Sequence, residues 1–167
     1  MIKTLQISEK EAWDLAFNAL VNNNTSEDNA KEVADALISA EFDGQAGHGL
    51  SRIPSYVEQL TAGKVKGTEA PSIISSKGSV IRVDAKNGFA YPAISLALKE
   101  ITTTCKKFGI AAASITRSHH FGQAGRHVEI LAENGLIGLM FGNTPKAIPP
   151  WGGTKALFGT NPIAFSA

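Results

Sequence analysis

Between Ile110 and Phe141 strand-like apolar runs flank one amphipathic stretch, and this alternation constrains the fold more than any other feature. Ile110 to Ile115 is predicted as a strand. Gly122 to Glu133 is predicted as a helix closed by Asn134-Gly135, and Leu136 to Phe141 as a second strand. Strand, helix and strand at this spacing predict a βαβ unit, because parallel neighbours need a crossover long enough to hold a helix. Further upstream, Val80 to Val83 is β-branched and reads as a strand, and Asn87-Gly88 is a strong turn signal. Tyr91-Pro92 opens a long helix with an apolar stripe of Ile94, Leu98, Ile101, Cys105 and Phe108, and Gly109 is suited to end it. Cys105 is therefore expected as a core thiol. Lys64 to Lys77 is expected to be irregular.

The first third of the chain reads as helical. Ser8-x-x-Glu11 has the form of a capping box, and Ala12, Ala16, Ala19 and Leu20 follow at helical spacing. Thr25-x-x-Asp28 repeats the capping pattern ahead of a stripe of Val33, Leu37 and Ala40. Asp43 to Gly49 then holds three glycines and ends that helix. Ile53, Val57 and Leu60 mark a short helix stopped by Gly63. The predicted class is α/β, mixed α+β, with a helical segment over residues 1–72 and an α/β domain over 73–167.

Composition excludes several functions. The 167 residues are 43% apolar and 19% charged, which is a globular balance without need of staples. Sixteen Lys and Arg against fifteen Asp and Glu leave a formal charge of +1. That argues against a nucleic-acid partner and against a polybasic membrane-surface role. A single cysteine excludes a disulfide framework and a Cys-based zinc cluster. Met1 to Gln6 lacks the apolar core of a signal peptide, and no run approaches a membrane span. A cytoplasmic location is expected. Pro162 to Ala167 reads as a strand just beginning, as expected of a chain that continues.

Chemistry is expected at two glycine-flanked loops. Ser118-His119-His120-Phe121-Gly122-Gln123-Ala124-Gly125 lies between a strand's carboxyl end and a helix start, where open α/β sheets bind ligands. The helix start offers free N–H groups to an anion. The G-x-G-x-x-G fingerprint is absent, so a Rossmann reading fails. Adjacent residues in extended chain point opposite ways, so one of His119 and His120 faces a given site, and His120 is favoured. His48 with Arg52 forms the second constellation. A histidine can move a proton near neutral pH, and an arginine fork can hold a carboxylate. The plainer readings are a loop histidine bonded to backbone and a surface ion pair. His127, within the helix, is expected at the surface or in helix packing.

Five separated motifs, in order, resemble the type II malate/L-lactate dehydrogenase family. They are Gly47-His48-Gly49-Leu50-Ser51-Arg52-Ile53-Pro54 with Tyr56 and Leu60; Val83-Asp84 with Asn87-Gly88-Phe89; Ser118 to Gly122; Pro149 to Gly153; and Gly159-Thr160-Asn161-Pro162. The resemblance implies hydride transfer between NAD or NADP and a small 2-hydroxy or 2-oxo acid. It implies a non-Rossmann cofactor domain with a mixed sheet, and a homodimer. Carried over by position, His48 and His120 are catalytic, and Arg52, Thr160 and Asn161 bind substrate. His120, Phe121, Gly122, Gln123 and Ala124 line the cofactor. Many members carry a serine where Gly47 stands, so either His48 works without that hydroxyl or His120 takes the acid role. Family chains are about twice this length. Alternatives from other classes are an inactive remnant or interaction module of the same fold, and a hydrolase with a metal on His48 and His120; no metal is expected.

Overall fold

The computed structural model describes residues 6–167; the reading that there is no signal peptide rests largely on Met1 to Leu5, outside that range. Two compact units are present, Met1–Gln123 and Ala124–Ala167.

In the first unit, α1 (Glu9–Val21) begins at the predicted capping box. The Ser8 side chain accepts from the Glu11 N–H, and the Glu11 carboxylate accepts from the Ser8 N–H at 2.8 Å. Helix α2 (Glu27–Phe42) starts one residue later than the pattern suggested. Its cap is Ser26, whose Oγ accepts from the Asn29 N–H, while Thr25 is buried with its Oγ1 unpartnered. Leu20 of α1 and Ala30, Val33 and Leu37 of α2 share one core with Tyr56, Val65, Phe89 and Tyr91. Two 3-10 turns, Ala46–His48 and Leu50–Arg52, lead into α3 (Ile53–Thr61).

A mixed three-stranded sheet follows, in the order β1 (Ser72–Lys77), β2 (Val80–Asp84), β3 (Ala112–Thr116). Strand β1 occupies part of the segment expected to be irregular. It pairs antiparallel with β2 through a bulge between Ile73 and Ser75, which interrupts the period-2 signal. Strand β2 pairs parallel with β3, and α4 (Ala90–Phe108) is the crossover. Ala93 and Ala97 of α4 pack on Ile81 and Val83, so small helical residues meet β-branched ones across the layer.

The parallel βαβ unit therefore lies one element earlier than predicted. In the second unit, α5 (Ala124–Glu133) is followed by β4 (Gly138–Phe141), which pairs antiparallel with β5 (Ile163–Ser166) rather than with β3. Helix α5 contacts both strands, and Ser166 Oγ donates to the Val128 carbonyl at 2.6 Å. The cross-strand pairs Leu139–Phe165 and Phe141–Ile163 are exposed. Cys105 is a second correction. It is only half-buried, because α4 buries its N-terminal half, Ala90 to Leu98, and its last turn stands out from the core. Among the described residues no helix is long and apolar enough to cross a membrane.

Candidate functional site

The first unit brings His48, Arg52 and His120 together. Glycine makes the first loop possible. A Cβ on Gly49 would overlap the Glu41 side chain, whose carboxylate accepts from the Leu50 N–H at 2.7 Å. That contact ties the turn to the end of α2. Ser51 Oγ donates to the Ala46 carbonyl at 2.6 Å, and Arg52 Nε donates to the Gly47 carbonyl at 2.5 Å. His48 and Arg52 thus sit on two consecutive 3-10 turns rather than one helical face. Space at Gly47 is open: a Cβ there would meet nothing within 4 Å.

His120 follows β3. Its ring stacks on that of His48, with centroids 5.7 Å apart and planes 10° from parallel. Its Nδ1 lies 2.7 Å from the Tyr56 hydroxyl, which lies 2.8 Å from the Tyr91 hydroxyl. The Phe121 ring lies 6.2 Å from that of His120, with planes 19° from parallel. Gly122 has φ +68°, and a Cβ there would come 2.6 Å from the Tyr91 hydroxyl. Gln123 Nε2 donates to Asp43 Oδ2 at 2.9 Å, which joins this loop to the end of α2.

Burial, the Arg52 charge and the two neighbouring imidazoles push the His120 pKa down to about 4, so its ring is neutral at pH 7. His48 is lowered by burial and then by Arg52. His119 is lowered by burial and then by Lys64, and its buried Nδ1 has no hydrogen-bond partner. Burial raises the Tyr56 hydroxyl, with the Tyr91 contact adding to it, so this phenol stays protonated. His127 is buried in α5, 3% exposed.

Thr160 and Asn161 lie in the second unit. There they close a loop onto Thr144: the Thr144 N–H donates to Asn161 Oδ1 at 3.0 Å, and the Thr144 and Thr160 hydroxyls are 3.2 Å apart. Ala124 is the first residue of α5. Among the described residues no group of three or more His, Cys, Asp or Glu could hold a metal ion. Sequence reasoning missed the tyrosine pair as part of the site. Its available signal was Tyr56, one helical turn beyond Arg52 and therefore on the same face.

A mixed sheet crossed over by one helix defines the chain as α/β, and the imidazole pair beside an arginine has the chemistry to move a proton and to attract an anion. The chain belongs to the malate/L-lactate dehydrogenase family, whose model matches residues 7–167. It is 47% identical over 160 residues to a (2R)-3-sulfolactate dehydrogenase (NADP(+)) of Chromohalobacter salexigens, covering 96% of this chain and 48% of the relative. It is 32% identical to a malate dehydrogenase of Pyrococcus abyssi, covering 98% of this chain and 45% of the relative. The crystal structure of delta1-piperideine-2-carboxylate reductase from Pseudomonas syringae superposes with a TM-score of 0.89 at 38% identity, over 97% of this chain and 49% of that one. The chain spans about half the length of the curated relatives it matches.

Proposed function

We propose that this chain carries the acid–base and carboxylate-binding residues of a nicotinamide-dependent oxidoreductase. Its substrate would be a small 2-hydroxy or 2-oxo acid, malate- or lactate-like, and its coenzyme NAD or NADP. The observation that carries this reading is the stacked His48–His120 pair with Arg52 charged beside both rings. The sulfolactate relative, whose name specifies NADP(+), supports the phosphorylated coenzyme. The relatives are named as enzymes, and nothing in the geometry favours an inactive remnant.

The residues present fit a nicotinamide. The buried Gln123 Oε1 has no hydrogen-bond partner and offers an acceptor to an amide N–H. A bound nicotinamide would supply the hydride donor or acceptor. Arg52 spends one guanidinium N–H on Gly47 and keeps its outer fork for the substrate carboxylate. His120, neutral at pH 7, donates a hydrogen bond to the reacting oxygen. His48, stacked on it, takes the proton from a substrate hydroxyl in oxidation and returns it in reduction. Phe121, Gly122, Gln123 and Ala124 are proposed to line the coenzyme, Thr160 and Asn161 to contact substrate, and the active form is proposed to be a homodimer. Residues 1–72 are proposed as a helical segment distinct from 73–167.

The test is turnover of NADH and NADPH with a panel of 2-oxo acids and delta1-piperideine-2-carboxylate. Oxidation of either coenzyme is expected, and none with any substrate overturns the reading. His48→Ala and His120→Ala should each lower kcat by about 10²- to 10⁴-fold, the usual span for a general acid or base. Arg52→Ala should chiefly raise KM for the acid.

A further inference from the structure

The Gly122 N–H and the Tyr56 hydroxyl both face the Nδ1 nitrogen of His120. The Gly122 N–H points at Nδ1 from 3.4 Å, and a backbone N–H can only donate. Nδ1 therefore presents its lone pair, and in a neutral imidazole the proton sits on Nε2. With Nδ1 accepting, the Tyr56 hydroxyl must donate to it across 2.7 Å. Its own oxygen is then left to accept from the Tyr91 hydroxyl across 2.8 Å. In this arrangement the Nδ1 lone pair takes the short Tyr56 bond, with the Gly122 N–H as a longer second contact, and no donor faces another donor. The opposite tautomer would set the Gly122 N–H against an Nδ1–H.

The pair is built into the core rather than the surface. Tyr56 and Tyr91 are each 2% exposed and belong to the apolar cluster formed by α1, α2 and α3. The imidazole nitrogens lie on opposite sides of the ring, so an Nδ1 turned to the tyrosines leaves Nε2 facing away from them. Gly122 completes the device, since any Cβ there would crowd the Tyr91 hydroxyl.

We propose that Tyr56, itself oriented by Tyr91, is a positioning residue that holds His120 as the Nε2–H tautomer and so presents a fixed donor to the reacting oxygen. This rests on the reading of His120 as a catalytic group at the reacting oxygen. It also gives the ring a hydroxyl partner in a chain that has Gly47 where many family members have serine.

The test is two-bond ¹H–¹⁵N correlation of the protein labelled with ¹⁵N-histidine, with His120 assigned through the His120→Ala spectrum, alongside steady-state kinetics. Wild-type His120 should read as Nε2–H. In Tyr56→Phe only the longer Gly122 contact remains on Nδ1, so the tautomer should shift part of the way towards Nδ1–H, and kcat should fall about 10- to 100-fold with KM unchanged, the range seen when an orienting partner of a metal-bound histidine is lost. Tyr91→Phe should move both readouts the same way by less, and it serves equally if Tyr56→Phe fails to fold. A wild-type Nδ1–H form, or an unchanged tautomer in both variants, overturns the proposal. If the tautomer shifts but Tyr56→Phe and His120→Ala both keep full turnover, the tautomer assignment stands and the reading of His120 as a catalytic group falls.

Discussion

Gly122 shows how much one residue can decide. It combines a left-handed backbone with a 2.6 Å approach of its Cβ position to the Tyr91 hydroxyl. Gly122→Ala should therefore cost about 1–3 kcal/mol from backbone strain alone, read by denaturant unfolding. It should also lower turnover by displacing the tyrosine pair. His120 gives a second expectation at this scale. Its folded pKa of about 4 lies below its ordinary value of 6.5, so between those values the unfolded chain binds the proton that the folded chain refuses. Stability is then full above about pH 6.5 and is lost as pH falls towards 4. A midpoint series over that range checks it, and His120→Phe should flatten the slope. The sequence made His120 visible through its glycine turn, but not its partners. Tyr56 lies 64 residues away in sequence, and no local pattern encodes that contact.

At the scale of elements, the helices were legible where a cap and a stripe coincide, as at Ser8 and Glu11. The second cap was misread by one residue, because Thr25 and Ser26 both carry hydroxyls and only burial separates them. Ser26→Ala should destabilise by about 1 kcal/mol, as capping residues do. Thr25→Val should cost less, since its hydroxyl makes no bond to lose. Strand β1 was missed because its bulge breaks the alternation. The parallel pairing was assigned to the wrong neighbours for a related reason. Three strands separated by two helices present two possible crossovers, and periodicity does not say which strands pair. The choice is set in part by Arg117, which has φ +54° and pairs with Asp84 at the carboxyl ends of β3 and β2. That ion pair, with the Lys86 N–H, holds the Asp84 pKa down at about 2. Its contribution is present above the ordinary carboxylate range and lost as pH falls towards 2. Asp84→Asn should lower Tm at pH 7 and converge with wild type near pH 2.

For the whole molecule, sequence alone determined the class, the motif order and the residue types of the site. Capping signals, apolar periods and glycine positions act over a few residues, and they can be read without knowing the rest of the chain. The family followed from five such motifs in order, and the match over residues 7–167 agrees. Only the tertiary structure decided which strands pair, that β4 and β5 form a sheet separate from β1–β3, and that α4 buries its first half. It also decided that two imidazoles 72 positions apart stack, and that a pair of core phenols is hydrogen-bonded to one of them. Those outcomes depend on burial and on contacts between distant segments. Such contacts lower the free energy only when the whole fold assembles, and they leave no periodic trace in the sequence.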